Sequence, residues 1–144
     1  MSHTVDKLNV ILANANVLFT KLHNYHWNVK GAAFFQLHAK TEAYYNQFAT
    51  MYDDVAERIL QIGGMPLVTL KQILATATIK EEERTEFTVA SILESVEGDF
   101  EIMQKLFAEL AADESVDSIT SAYADEQNAM LEKELWMLRA SKSQ

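Results

Sequence analysis

The sequence predicts an all-α protein: four long helices in two hairpins, joined by a long connection that carries a short fifth helix. Three observations predict it. Good helix formers dominate the 144 residues, while four Gly and one Pro are too few for the turns of an all-β chain. Apolar residues recur at i, i+3, i+4 and i+7 through four long segments. The gaps between those segments are unequal, tight between the first and second and between the third and fourth, but roughly two dozen residues between the second and third. A chain of this length is expected to form one domain, residues 1–144, with a core of its own.

The first helix is read from Leu8, Ile11, Leu12, Ala15, Leu18, Phe19 and Leu22, running to about Val29 and stopped by Gly31. The second carries Leu37, Thr41, Tyr44, Phe48, Tyr52, Val55, Ile59 and Ile62 and ends at Gly63-Gly64. Pro66 suits the first turn of the short helix, with Leu67, Leu70 and Leu74 as its expected apolar side. After the polar stretch KEEERTE, the third long helix uses Val89, Ile92, Leu93, Val96, Phe100, Met103, Phe107 and Leu110. The fourth is expected from near Ser115 to near Arg139, with Ile119, Met130, Leu131, Leu135 and Leu138. Two hairpins linked by a long crossover make a ferritin-like four-helix bundle, because a simple up-down bundle needs no such connection.

Several function classes drop out on composition. There is no Cys, hence no disulfide, thiolate metal site or cysteine nucleophile. No stretch reaches the roughly 18 apolar residues of a membrane helix, and the N-terminal apolar run lacks a basic leader, so the expected location is the cytoplasm. The net charge of −9 is uneven: residues 1–80 hold five acids and seven bases, residues 81–144 sixteen acids and five bases. An acidic half repels nucleic acid and attracts cations, or serves solubility alone.

Three of the four histidines fall in LHNYHWNVKGAAFFQLHAKTE, residues 22–42. His38 and Glu42 stand one helical turn apart, as do Asp53 and Glu57. Glu42 and Asp53 are eleven residues apart, which is three turns within about 20°, so the four groups share one stripe. Taken alone, each pair also fits a solvated helix face. His26, just before the turn into His38, lies where a helical hairpin brings a second imidazole beside the first. Two imidazoles and a carboxylate suit Fe, Zn or Mn, provided both imidazoles are neutral, so binding weakens as they protonate. Glu42 and Asp53 are roughly 16 Å apart along the axis, too far to share an ion within one chain. A second copy packed antiparallel along the second helix would bring residues 38/42 of one chain to 53/57 of the other, with Asn46 and Ala49 near the crossing point. A di-metal site inside the bundle would use Glu-x-x-His, but Thr20, His23 and Phe35 stand three residues before the histidines.

LHNYHWNVKGAAFFQLHAKTEAYY followed by MYDDVAERILQIGGMPL, with ELWML in the last helix, resembles the Dps family, the DNA-binding proteins from starved cells or miniferritins. The resemblance covers nearly the whole chain. It implies a homododecameric hollow shell with ferroxidase centres across a two-fold interface through the second helix. His26, His38 and Glu42 would come from one subunit, Asp53 and Glu57 from the other. The implied chemistry is oxidation of Fe(II) to Fe(III), preferably by hydrogen peroxide and otherwise by dioxygen, with ferric oxide stored inside and protection against oxidative stress. Zn or Mn would compete for the same site. The family usually shows Asp at the position of Glu42, and the extra methylene changes the carboxylate's reach. Trp27 is implied as a redox neighbour of the iron, or packs at the interface. His23 is an accessory ligand or a helix-surface or core histidine, and Arg58 a structural ion-pair partner. Asp113, Glu114 and Asp117 are implied as lining of three-fold pores, or simply favour the N-terminus of the last helix. DNA-binding members often carry Lys/Arg-rich tails, whereas MSHTVDKLNV and ASKSQ hold one Lys each, so weak or no DNA binding is expected. The rival readings are an Mn or Zn oxidase or peroxidase without mineral storage, and a metal-free helical scaffold that assembles through the second helix.

Overall fold

The structure, a computed structural model, describes residues 2–142. It contains α1 (Ser2–Asn28), α2 (Phe34–Gln61), α3 (Leu70–Thr76), α4 (Val89–Ala112) and α5 (Ser118–Lys142), with no strand among the described residues. The α1/α2 and α4/α5 hairpins pack on one another, and the crossover of residues 62–88 carries α3 along α1. The core gathers Leu8, Ile11, Leu18, Tyr44, Phe48, Val55, Phe100, Phe107 and Leu131, all at 2% exposure or less. These are predominantly the periodic positions, because a helix buries one face and the bundle closes four such faces on one another. No helix among the described residues is long and apolar enough to cross a membrane.

Helix α2 stops at a Schellman turn. Gly64 N–H donates to Ile59 O at 2.9 Å and Gly63 N–H to Leu60 O at 3.0 Å, with Gly63 at φ +86° where a side chain would be strained. A Cβ on Gly64 would lie 2.5 Å from the Val5 side chain, so glycine there lets the crossover leave close against α1.

Four expectations are corrected here. The short helix starts at Leu70, and Pro66 precedes it. Thr69 caps it, accepting from Gln72 N while the Gln72 side chain reaches back to the cap N–H. That start turns Ile73 inward at 2% exposure and leaves Leu70 and Leu74 at 68% and 51%. The last helix runs over Ser118–Lys142, later at both ends than expected. Its Ile119 is 65% exposed, because Thr120 and Ala124 take the inward positions of the first turns.

The crossover is largely non-helical, so its backbone polar groups need partners from elsewhere. A row of α1 side chains supplies them. Asn9 accepts from Leu67 N–H and donates to Met65 O. Asn14, fully buried, accepts from the N–H groups of Thr78 and Ile79 and donates to Thr78 Oγ1. Lys21 donates to Lys80 O at 2.8 Å, and Asn24 to the carbonyls of Glu82 and Arg84. Lys21 Nζ also lies 2.8 Å from Asp99 on α4, both side chains nearly buried. Tyr25 OH meets Ser95 at 2.6 Å and Glu82 at 3.1 Å. Burial, only partly offset by Lys21, pushes the Asp99 carboxyl above its ordinary range.

Candidate metal centre

The turn between α1 and α2 is short, with Phe34 N–H bonded to Gly31 O at 3.0 Å, so the last turn of α1 faces the first turns of α2. His26, 6% exposed, and His38, half-buried, meet there with rings stacked at 3.7 Å and 13°. Their backbone contacts are reciprocal: His26 Nδ1 is 2.6 Å from His38 O, and His38 Nδ1 is 2.8 Å from His26 O. A carbonyl oxygen only accepts, so each Nδ1 carries a proton, and Nε2 is the nitrogen left to give a lone pair to a cation. The pair is therefore held in the tautomer that ligates a cation through Nε2. Thr41, 1% exposed, sits beneath it, its Oγ1 donating to Leu37 O at 2.6 Å and lying 3.4 Å from His26 Nδ1.

Glu42 joins this pair, its Oε1 lying 3.9 Å from His26 Nε2 with the side chain 56% exposed. Asp53 and Glu57 lie on the same stripe of α2, three turns on, exposed and without a hydrogen-bond or ion-pair partner among the described residues. They are not brought to the imidazoles within the chain. Among the described residues no three His, Asp or Glu side chains of one chain converge closely enough to hold a metal ion. The donors nearest one another, two imidazoles and an exposed carboxylate, are of the borderline kind that suits Fe(II), Zn(II) or Mn(II).

The remaining candidates separate cleanly. Trp27 is 68% exposed and packs on His23 at 5.4 Å. His23 bonds through Nδ1 to Phe19 O at 2.6 Å and stacks on Tyr45 at 3.7 Å. Arg58 is an ion-pair partner of Asp117, at 2.6 Å, and also donates to Thr120 Oγ1. Asp117 caps α5, accepting from Thr120 N–H at 2.9 Å and Thr120 Oγ1 at 2.6 Å. Burial raises its carboxyl, but these bonds and Arg58 hold it below the ordinary range. Asp113 accepts from Ser115 N–H and meets Lys7 at 3.1 Å and His3 at 3.2 Å. The Ser115 bonds and Lys7 hold its carboxyl well below the carboxylate range. Of this acidic group only Glu114 is exposed. At the N-terminus α1 is helical from Ser2, and the last two residues of ASKSQ lie outside the described residues.

Sequence reasoning passed over Phe34 and Tyr45, which bracket the imidazoles. Phe34 stacks on His38 at 4.9 Å, and the Tyr45 ring stands at 89° to His26 at 5.3 Å. Their only signal was position, Phe34 four residues before His38 and Tyr45 seven after it.

Comparison with known proteins agrees with this fold. A ferritin-like domain model matches residues 5–142. The DNA protection during starvation protein of Helicobacter pylori is 45% identical over 139 residues, covering 95% of this chain and 96% of that protein. The crystal structure of a Dps protein from Bacillus brevis superposes with a TM-score of 0.94 at 40% identity, covering 99% of this chain and 96% of its own. A Dps protein from Vibrio cholerae O1, described as a member of a broad superfamily of ferritin-like diiron-carboxylate proteins, gives 0.93 at 32% identity, covering 99% and 90%. With two locked imidazoles and a stripe of carboxylates on such a bundle, the chain belongs to the ferritin-like domain family and, within it, to the Dps proteins.

Proposed function

We propose that this protein is a ferroxidase and iron store of the cytoplasm, working as a homododecameric shell. The observation that carries the reading is the reciprocal Nδ1–carbonyl pairing of His26 and His38, which leaves both Nε2 atoms clear of the backbone, with Glu42 beside that of His26. Asp53 and Glu57 of a second copy, packed antiparallel along α2, complete the donor set. Membership of a diiron-carboxylate superfamily is said of the Vibrio cholerae relative, and the same donor chemistry supports iron as substrate here.

Each Fe(II) gives up one electron, so one hydrogen peroxide consumes two Fe(II) and, with two protons, leaves as two waters. Delivering both electrons together avoids hydroxyl radical, and dioxygen is the slower oxidant. The ferric product hydrolyses to oxide, releasing protons, and is stored inside the shell. Asp113, Glu114 and Asp117 at the α4–α5 turn would line the way in for Fe(II). The net charge of −9 and the engagement of Lys7 by Asp113 support weak or absent DNA binding.

The test mixes anaerobic, Fe(II)-loaded protein with hydrogen peroxide in stopped flow. His26→Ala with His38→Ala should assemble normally yet oxidise at least about 100-fold more slowly, the upper end of what loss of even an outer-shell partner costs. Rates like those of the unaltered protein would exclude these ligands.

A further inference from the structure

The ligand imidazoles are the middle of a longer column of rings along the α1–α2 seam. Phe34 stacks on His38 at 4.9 Å and 17°, and His38 on His26 at 3.7 Å and 13°. Tyr45 closes on His26 edge-to-face at 5.3 Å, and His23 stacks on Tyr45 at 3.7 Å and 17°. Phe19 meets both His23, at 4.6 Å, and Tyr45, at 5.9 Å. The hydrogen bonds fix only the Nδ1 edge of each ligand ring. Without neighbours on the ring faces, an imidazole held by one bond still tilts about that bond and swings its Nε2. Phe34 blocks that swing for His38 and Tyr45 blocks it for His26. His23 backs Tyr45 by stacking on it, with its own ring packed on Phe19 at 4.6 Å.

We infer that Phe34 and His23 are positioning residues for the metal-ligating pair: Phe34 acts directly on His38, and His23 acts through Tyr45 on His26. This rests on the proposed metal centre, and it assigns His23 a role that needs its flat ring but no lone pair. It follows that an aromatic ring without nitrogen serves at position 23, whereas a ligand there would require imidazole. At position 34 any aromatic ring serves.

The test uses Co(II) as an optical stand-in for Fe(II) in the full-length assembled protein, reading the visible d–d band and the dissociation constant without turnover. Phe34→Ala and His23→Ala should bind Co(II) about 10-fold more weakly with an altered band, the effect expected when support of a ligand histidine is lost. Phe34→Tyr and His23→Phe should restore both affinity and band shape. Melting temperature, followed by circular dichroism, separates loss of support from loss of fold: the two His23 variants should melt alike while their Co(II) bands differ. Unchanged binding in both Ala variants would overturn the inference. So would His23→Phe binding as weakly as His23→Ala, since the flat ring would then not be what supports the pair. His26→Ala with His38→Ala is the control for the underlying site: if it binds Co(II) normally, the metal centre itself is misassigned, whereas its failure alongside a normal Phe34→Ala overturns only the positioning role.

Discussion

Helix α1 carries two polar faces that behave in opposite ways. On the crossover side, Asn9, Asn14, Lys21 and Asn24 meet backbone groups of residues 65–84, and Lys21 also meets Asp99. On the seam with α2, the Nδ1 edges of His26 and His38 are satisfied, but the Nε2 of His26 has only Glu42 nearby, at 3.9 Å, and Asp53 and Glu57 further along are exposed. The first face completes its hydrogen bonding inside the chain and holds the fold. The second leaves acceptors open, at little cost in solvent, for something outside the chain. Polar side chains of similar type therefore divide by where their partners come from, and stability and function should respond to different substitutions.

The largest break in that comparison is expected at Lys21. Lys21→Met leaves Asp99 buried without its cation and should destabilise the protein by about 3–5 kcal/mol in denaturant unfolding. Asp99 already titrates high because of burial, and removing Lys21 raises it further. A carboxyl whose folded pKa lies above its unfolded value takes up a proton on folding, so the variant's stability should fall as pH rises through that value and recover in acid. Adding Asp99→Leu should restore most of the loss, and a double variant no better than the single would show that the pair is not the cause. Next comes Asn14→Leu, which strips the acceptor from Thr78 and Ile79 N–H. A cost of about 2–4 kcal/mol is expected, with Co(II) affinity of the folded fraction unchanged.

A smaller effect concerns the acid limb. Bonds from Arg84, with smaller help from Tyr25, hold Glu82 down to about 2 from the ordinary 4.5. A depressed carboxyl stabilises the fold above its unfolded value and loses that contribution as pH falls toward its folded one. Arg84→Ala should therefore be less stable at neutral pH and lose less between pH 4.5 and 2 in acid titration followed by circular dichroism. Parallel acid limbs in the two proteins would contradict it. The smallest stability change is expected on the open face: Asp53→Asn with Glu57→Gln should shift stability within about 0.5 kcal/mol while abolishing fast Fe(II) oxidation. A large loss of stability in that variant would show that these acids are structural and erase the contrast between the two faces.

Much of the scaffold was legible because burial is periodic. Leu8 to Leu22 on α1, except Phe19 at 37% exposure, and Ile92 to Leu110 on α4 announced their inward faces by spacing alone, and Gly63-Gly64 announced the end of α2. The short helix was less legible. Pro66 and three leucines suggested an earlier start, whereas the Thr69–Gln72 capping box set the phase that buries Ile73. At the site, His26, His38 and Glu42 were legible because a hairpin with a short turn has few ways to place them. The asparagine row was not, since an Asn on a helix surface reads as solvated unless the crossover is known to lie against it. Nor were Phe34 and Tyr45, which read as ordinary apolar positions.

The sequence by itself determined the helix periods, the unequal spacing that demands a crossover and the stripe that sets His38 and Glu42 three turns from Asp53 and Glu57, because these follow from the fixed geometry of a helix along one chain. Only the tertiary structure decided which nitrogen of each imidazole is free, which rings hold the pair and which α1 side chains grip residues 65–84. Those choices depend on the distance and direction of groups far apart in sequence, and hydrogen bonds and ring stacking form or fail over fractions of an ångström that no spacing rule conveys.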